Sequence, residues 1–185
     1  MNRPLRTETK GPLTLVHAER FDDVEEVLSR DEVFFVTYEK KMREVSGNQG
    51  NFFLGMQNSP DYQQDVANMR SVVRRDDLAD IQSFVTTRAE ELMAARESQI
   101  DLVADLAKRV PARWFMNYFG CPHDNEDELI EWACHLFRFV FVSTNSPEFD
   151  QEALESAAKV RDFLDHCIQD RKAHPVQKDD ILARC

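Results

Sequence analysis

The sequence is poor in residues that redirect a chain, with five glycines and seven prolines among 185 residues. A turn-rich all-β fold needs more such positions, so that class is disfavoured. Long apolar runs are missing too. Val33 to Val36 and Phe139 to Val142 are among the longest, far below the roughly 20 residues that span a bilayer as a helix. The opening Met-Asn-Arg-Pro-Leu-Arg-Thr has no apolar stretch of the signal-peptide kind, so a soluble, cytoplasmic chain is expected. Basic residues are outnumbered, 23 against 34 acidic, for a net charge of −11. A surface of that sign repels nucleic acid and anionic membrane. The four cysteines, Cys121, Cys134, Cys167 and Cys185, stand 13, 33 and 18 positions apart, with no Cys-x-x-Cys pair. Zinc-knuckle and thioredoxin-like sites lack their spacing, and free thiols in a reducing compartment are expected. Also absent are His-Glu-x-x-His, Gly-x-Ser-x-Gly, a glycine-rich phosphate loop and the Glu-x-x-His of a di-iron bundle,.

What is present is core material and helical periodicity. Apolar residues make up 42% of the chain and 13 of them are phenylalanine, which excludes disorder and fits a single domain over 1–185. Residues 1–17 read as an extended entry strand, with Leu13, Leu15 and His17 alternating. Phe21, Val24, Val27 and Leu28 then recur at helical spacing between Glu19 and Arg30,. The stretch Glu39 to Gly55, with Gly47, Asn48, Gln49 and Gly50, reads as a long loop of the lid or binding kind,. Ser59-Pro60-Asp61 opens a helix carrying Val66, Met69, Val72 and Val73, and Asp76-Asp77 opens the next,. A helix over Leu102 to Phe119 should be bent or interrupted at Pro111, and Gly120-Cys121-Pro122 stops it,. Two long helices follow, Glu126 to Val142 and Glu148 to Lys172, and Asp179-Asp180-Ile181-Leu182 begins one more segment,. The fold class is mainly α.

Three local patterns invite a chemical reading. Glu131/His135 and Asp162/His166 are each four apart, on one helix face, as metal ligands or as solvated partners,. Arg70, Arg74 and Arg75 cluster in an acidic chain. Guanidinium forks suit carboxylate or phosphate, but Asp76, Asp77 and Asp80 are near enough to neutralise them, and spacing leaves both readings open. Trp132, Leu136, Phe137, Phe139, Val140 and Phe141 make one helix apolar on most sides. Such a helix is expected to be buried on more than one side, in a core or against a ligand pocket.

Four segments, in order, resemble those of the cytochromes P-450. Val24 to Phe34 resembles that family's early helix and its following x-x-Phe-Ser. Phe53-Leu54-Gly55-Met56-Gln57-Asn58-Ser59-Pro60-Asp61-Tyr62 resembles the turn into its haem-facing third helix. Val110-Pro111-Ala112-Arg113 through Tyr118-Phe119-Gly120-Cys121-Pro122 resembles its Pro…Gly-x-Pro helix ending, and Asp179 to Arg184 resembles the stretch before its long central helix. Together they run over about residues 13–185. Two of the family's signatures have no counterpart here: no Glu stands three residues before an Arg, and no Gly four residues before a Cys.

The resemblance implies the amino-terminal portion of a haem-thiolate monooxygenase of bacterial type, without the central helix or the axial Cys loop, and so a chain inactive alone. It implies haem as cofactor, with Arg70 as propionate partner and Tyr62 as a weaker donor. Val66 stands where many members have arginine, and Tyr62 where they have histidine. It places Phe52, Phe53 and Leu54, with Phe137 and Phe141 from the roof helix, around a hydrophobic small-molecule substrate. It turns Arg74 and Arg75 toward an acidic electron donor of ferredoxin or flavoprotein type. A shortened chain should expose apolar surface and self-associate. The alternative reading is a non-catalytic helical interaction or dimerisation protein derived from that fold.

Overall fold

The computed structural model describes residues 5–50, 52–95, 99–142 and 146–185, in two compact units, Met1–Thr37 and Tyr38–Cys185. Residues 1–4 of the expected strand and Asn51 of the expected loop lie outside the described residues.

In the first unit the expected single strand is a hairpin. Strand β1 (Arg6–Lys10) pairs antiparallel with β2 (Leu13–His17), Arg6 opposite His17 and Lys10 opposite Leu13. Gly11 makes the reversal at φ +60°, a left-handed conformation that glycine adopts at little steric cost,. Helix α1 (Phe21–Ser29) follows, with Asp22 and Asp23 in its first turn, where negative charge meets the positive end of the helix,.

The second unit is helical. Helix α2 (Glu39–Val45) replaces the first part of the loop expected over Glu39 to Gly55, and a short 3₁₀ turn, Phe53–Gly55, closes it. Two side-chain effects hold α2 in place of a loop. Glu39 and Arg43 pair across one turn at 3.0 Å,. Met42 and Val45 pack on the core made by Phe139, Val140 and Ala153. Lys41 donates to the Phe139 carbonyl, and Arg161 donates to that of Val45 at the helix end.

Helix α3 (Pro60–Val72) starts where Ser59 Oγ accepts the Tyr62 N–H at 3.1 Å,. Val73, expected on its apolar side, lies just past its end. A 3₁₀ turn, Arg75–Asp77, leads into α4 (Leu78–Ala94). The segment expected over Leu102 to Phe119 changes its hydrogen-bonding register around Pro111. A π-helical stretch, Leu102–Ala107, ends with the Lys108 N–H on the Val103 carbonyl, five residues back. Helix α5 (Arg109–Phe115) then carries Pro111 in its first turn, where a missing N–H costs little,. A second π-helical turn, Met116–Gly120, ends at Gly120 with φ +75°.

Asn125 Oδ1 caps α6 (Glu126–Phe141), and Ser146 caps α7 (Pro147–Ala173). The two long helices pack closely because α7 presents Ala153, Ser156 and Ala157, all buried, to its neighbour. Phe139 is almost wholly buried there, and removing such a ring from water contributes about 2–3 kcal/mol. His123, Trp132 and Phe163 form an edge-to-face group farther along. The opposite side of α6 departs from expectation, since Phe137 is 61% exposed, so this helix is buried on one side only. Asp180 Oδ1 caps the last helix, α8 (Ile181–Arg184). Among the described residues no helix is long and apolar enough to cross a membrane.

Candidate functional site

Helix α3 sets Tyr62, Val66 and Arg70 four residues apart along one stripe,. Tyr62 and Val66 are half-buried and Arg70 is exposed. The Arg70 guanidinium has no hydrogen bond or ion pair among the described residues. It is a cation whose five donors are unclaimed, which is what an anionic ligand group requires.

The neighbouring arginines separate. Arg74 reaches Asp179 at 3.6 Å, while the exposed Arg75 side chain pairs with no carboxylate among the described residues. The neutralisation expected from Asp76, Asp77 and Asp80 does not take that form. Asp77 accepts the Arg74 backbone N–H at 3.3 Å and gives its carboxylate to Arg184.

Arg184 centres a polar cluster that joins α8 to the α3–α4 junction. Its Nη1 lies 2.6 Å from Asp77 Oδ2 and its Nη2 3.1 Å from Oδ1. Its Nε and Nη2 donate to Asp179 at 2.6 and 2.9 Å, and its Nη1 to the Val72 carbonyl. The Tyr118 hydroxyl donates to Asp77 Oδ2 at 2.7 Å. With 6% of its side chain exposed, Arg184 is the buried member. The Arg184 hydrogen bond, then that of Tyr118, holds Asp77 far below the usual carboxylate range. Burial, then the Asp77 contact, pushes the Tyr118 phenol up.

A second pair lies beside it. Arg171 grips Asp180 through two parallel bonds of 2.7 and 2.9 Å, and its Nη2 also reaches the Gly120 carbonyl at 3.3 Å. Burial pushes the Asp180 carboxyl up, but Arg171 and the Ala183 N–H together hold it below the ordinary value. These partners were invisible to local reading because Asp77 and Arg184 lie 107 positions apart. The capping pattern Asp180…Ala183 was the one available signal.

These carboxylates make stability depend on acid. Asp77, Asp179 and Asp180 are all lowered in the folded chain. The unfolded chain therefore binds protons first, near pH 4. Their contribution is present in full above that value and is lost as pH falls through the folded values. The urea midpoint is expected to stay level from about pH 7 to 5 and to drop steeply below about pH 4. In Asp77→Asn the drop should be shallower from a lower starting point. An unchanged acid slope would remove Asp77 from the linkage.

The residues expected around a substrate fall into two groups. The Phe52 and Phe53 rings stand 4.5 Å apart and line a cavity of about 520 Å³ with Met69 and Val72 of α3 and with Ile181 and Arg184. Leu54 is largely exposed. Phe141 packs edge-on against Tyr38 at 5.0 Å and touches Phe137 at 4.9 Å. Phe137 itself lines a groove of about 590 Å³ among α5, α6 and α7, with Trp114, Phe115, Leu129 and Ala133. The histidines expected at metal spacing are not assembled. His135 Nδ1 lies 2.9 Å from Ser156 Oγ, and no group of three or more metal-ligating residues occurs among the described residues.

A haem iron of the thiolate type needs an ionised sulfur. Cys121 is 2% exposed, and its thiol is pushed up to about 12, chiefly by burial and then by neighbouring Cys167. Cys167 is raised by burial as well. Half-buried Cys134 lines the α5–α6–α7 groove, and exposed Cys185 follows α8. The two buried thiols, Cys121 and Cys167, therefore do not fit an iron-ligating thiolate.

No family model and no curated protein matches this sequence. Solved structures do. P450BioI, in complex with acyl carrier protein ligated by hexadec-9Z-enoic acid, superposes with a TM-score of 0.78 at 19% identity, over 98% of this chain and 48% of that one. Open, histidine-tagged cytochrome P450 Eryk from S. erythraea gives a TM-score of 0.61 at 13% identity, over 90% and 49%. The chain thus spans about half the length of either. Over that half, its two-stranded hairpin and its succession of helices have the cytochrome P450 fold.

Proposed function

We propose that this chain is the amino-terminal half of a cytoplasmic haem monooxygenase of cytochrome P450 type, which inserts one oxygen atom from O2 into a hydrophobic substrate. The observation that carries the reading is the P450 fold over 98% of the chain. In this reading the iron-ligating sulfur comes from outside the chain, because none of its cysteines has the glycine four residues before it that the family's ligand loop carries. What the chain contributes is one rim of the haem site and part of the substrate walls. Arg70 pairs with a propionate, Tyr62 donates a second hydrogen bond, and Val66 packs between them. Phe52, Phe53 and Leu54, with Phe137 and Phe141, give the substrate an apolar environment. Arg74 and Arg75 meet an acidic electron donor, Arg75 with the greater effect because Arg74 already has Asp179,. The protein-borne acyl chain in the P450BioI complex supports both a hydrophobic substrate and a protein partner.

A second reading, a non-catalytic helical interaction protein, is favoured by one observation, the lack of any cysteine with a glycine four residues before it. Haem and carbon monoxide under reducing conditions are expected to give no thiolate Soret band with this chain. Such a band would show that one of the four cysteines ligates iron and would overturn the assignment. In a haem-loaded polypeptide that continues into a thiolate-bearing half, Arg70→Ala should weaken haem retention by about tenfold, the scale of a charged hydrogen bond. Arg88→Ala is the comparison, because Arg88 is already paired with Glu91 and stacked on Phe84. Equal retention in the two would refute the propionate role. Failure of the longer form to take up haem would favour the second reading.

A further inference from the structure

We propose that Cys121 and Cys167 form a redox site, a dithiol that closes to a disulfide within the folded chain when the small-molecule thiol pool around it is oxidised. The two sulfurs share a hydrogen bond although the residues stand 46 positions apart. A neighbouring contact brings the same two segments together independently. Arg171 lies four residues along α7 from Cys167, on the same helix face,. It donates at 3.3 Å to the carbonyl of Gly120, the residue before Cys121. Residues 120–121 and one face of α7 are thus joined at two adjacent points. Both thiols are inside the protein, Cys121 at 2% exposure and Cys167 at 8%. Two free thiols held in contact by a fold already have most of the ordering that a bridge requires,.

The step is a two-electron oxidation of the pair by a low-molecular-weight disulfide. One cysteine loses its proton and attacks a sulfur of the reagent, which breaks the reagent's S–S bond and releases one small thiolate. The second cysteine, deprotonated in turn, attacks the protein sulfur of the mixed disulfide, closes the Cys121–Cys167 bond and releases the other. The two protons given up by the cysteines end on the two small thiols. Burial sets the conditions for this exchange. It pushes the Cys121 thiol up to about 12, with neighbouring Cys167 adding to the effect, and raises Cys167 as well. Little thiolate then exists in the closed fold at neutral pH. Exchange therefore proceeds while the turn is open, and the closed fold determines which bond survives. The pair stays reduced in a reducing compartment and bridges when that poise is lost. A bridge would tie the Gly120 turn covalently to α7, beside the Arg171–Asp180 pair. It requires neither haem nor an electron-donor protein, so its failure would leave the monooxygenase reading untouched.

Refolding tests the pair without depending on access to the closed fold. The full chain, unfolded and reduced in urea, is diluted into mixtures of reduced and oxidised glutathione, quenched with iodoacetamide at equilibrium and mapped by peptide mass spectrometry. A linked Cys121–Cys167 peptide should outweigh every other pairing. Its equilibrium constant with glutathione should be about a hundredfold larger in native buffer than in urea, within the range for native disulfides. Linkage then requires the same hundredfold gain in the folding equilibrium of the oxidised chain, read as a higher urea midpoint. Cys134→Ser/Cys185→Ser, which keeps only the proposed pair, should give the same ratio. A ratio near one would show that the fold does not hold the sulfurs in a bondable geometry and would overturn the proposal. So would a dominant bridge to Cys134 or Cys185, or glutathione retained on Cys121 or Cys167 in the folded chain.

Discussion

Gly120→Ala is expected to destabilise the second unit by about 2–5 kcal/mol, the left-handed backbone penalty plus the cost of overpacking. Both terms follow from one position. Gly120 holds φ +75°, which an L side chain adopts only under strain,. A Cβ built there would also stand 2.3 Å from Asp180 Oδ2 and 2.8 Å from Arg171 Nη2. Those atoms cannot yield easily, because each is held by the other and Asp180 is also the cap of α8. Gly47 separates the two terms. It has a similar φ of +69°, but its nearest neighbour is the Arg161 guanidinium at 3.1 Å, which rests on the Val45 carbonyl and need give by only a few tenths of an ångström. Gly47→Ala should cost about 1–2 kcal/mol, the backbone part alone. Urea unfolding followed by circular dichroism compares the two variants. Equal losses would show that the collision with the Arg171–Asp180 pair contributes nothing.

That pair also marks the boundary of what local sequence could reveal. Helix starts were legible where a short polar side chain precedes a periodic run, as at Ser59 and Asp180, since a cap is a contact over three residues,. The end at Gly120 was legible for the same reason. Helix α2 was not. It is seven residues long, has no side-chain cap, and runs into Gly47, Asn48 and Gly50, whose turn signal dominates the segment. What stabilises it is remote, the packing of Met42 and Val45 under Phe139. The arginine cluster shows the same limit in electrostatics. Proximity in sequence pointed Asp77 at Arg70, Arg74 and Arg75, whereas the fold delivers Arg184 to it with better geometry and less water,. Arg70 and Arg75 are therefore left without a carboxylate among the described residues while Arg74 reaches Asp179, a distinction that spacing alone could not make.

Arg171→Met should cost about 3–5 kcal/mol, the range for removing one partner of a buried ion pair. The magnitude comes from what remains more than from what is lost. Asp180 is 1% exposed and sits among the Gly120 turn and the start of α8. Without the guanidinium its carboxylate keeps the Ala183 N–H but loses the two bonds that offset its burial. It must then either stay charged without its counterion or take up a proton, and each alternative lowers stability at neutral pH. The two alternatives differ in their pH response. If the orphaned Asp180 takes up a proton, its folded value rises above the unfolded one, and the variant should gain relative stability as the medium is acidified from pH 7 toward 4. The unaltered chain should lose stability as pH falls below about 4, since its Asp180 is held low,. Adding Asp180→Asn to Arg171→Met tests the same charge directly. The amide can still accept the Ala183 N–H while the uncompensated charge is gone, so part of the loss should return. A double variant less stable than Arg171→Met alone would mean that Asp180 acts mainly through its negative charge at the α8 start. The bidentate pair would then not be what fixes this end of the molecule.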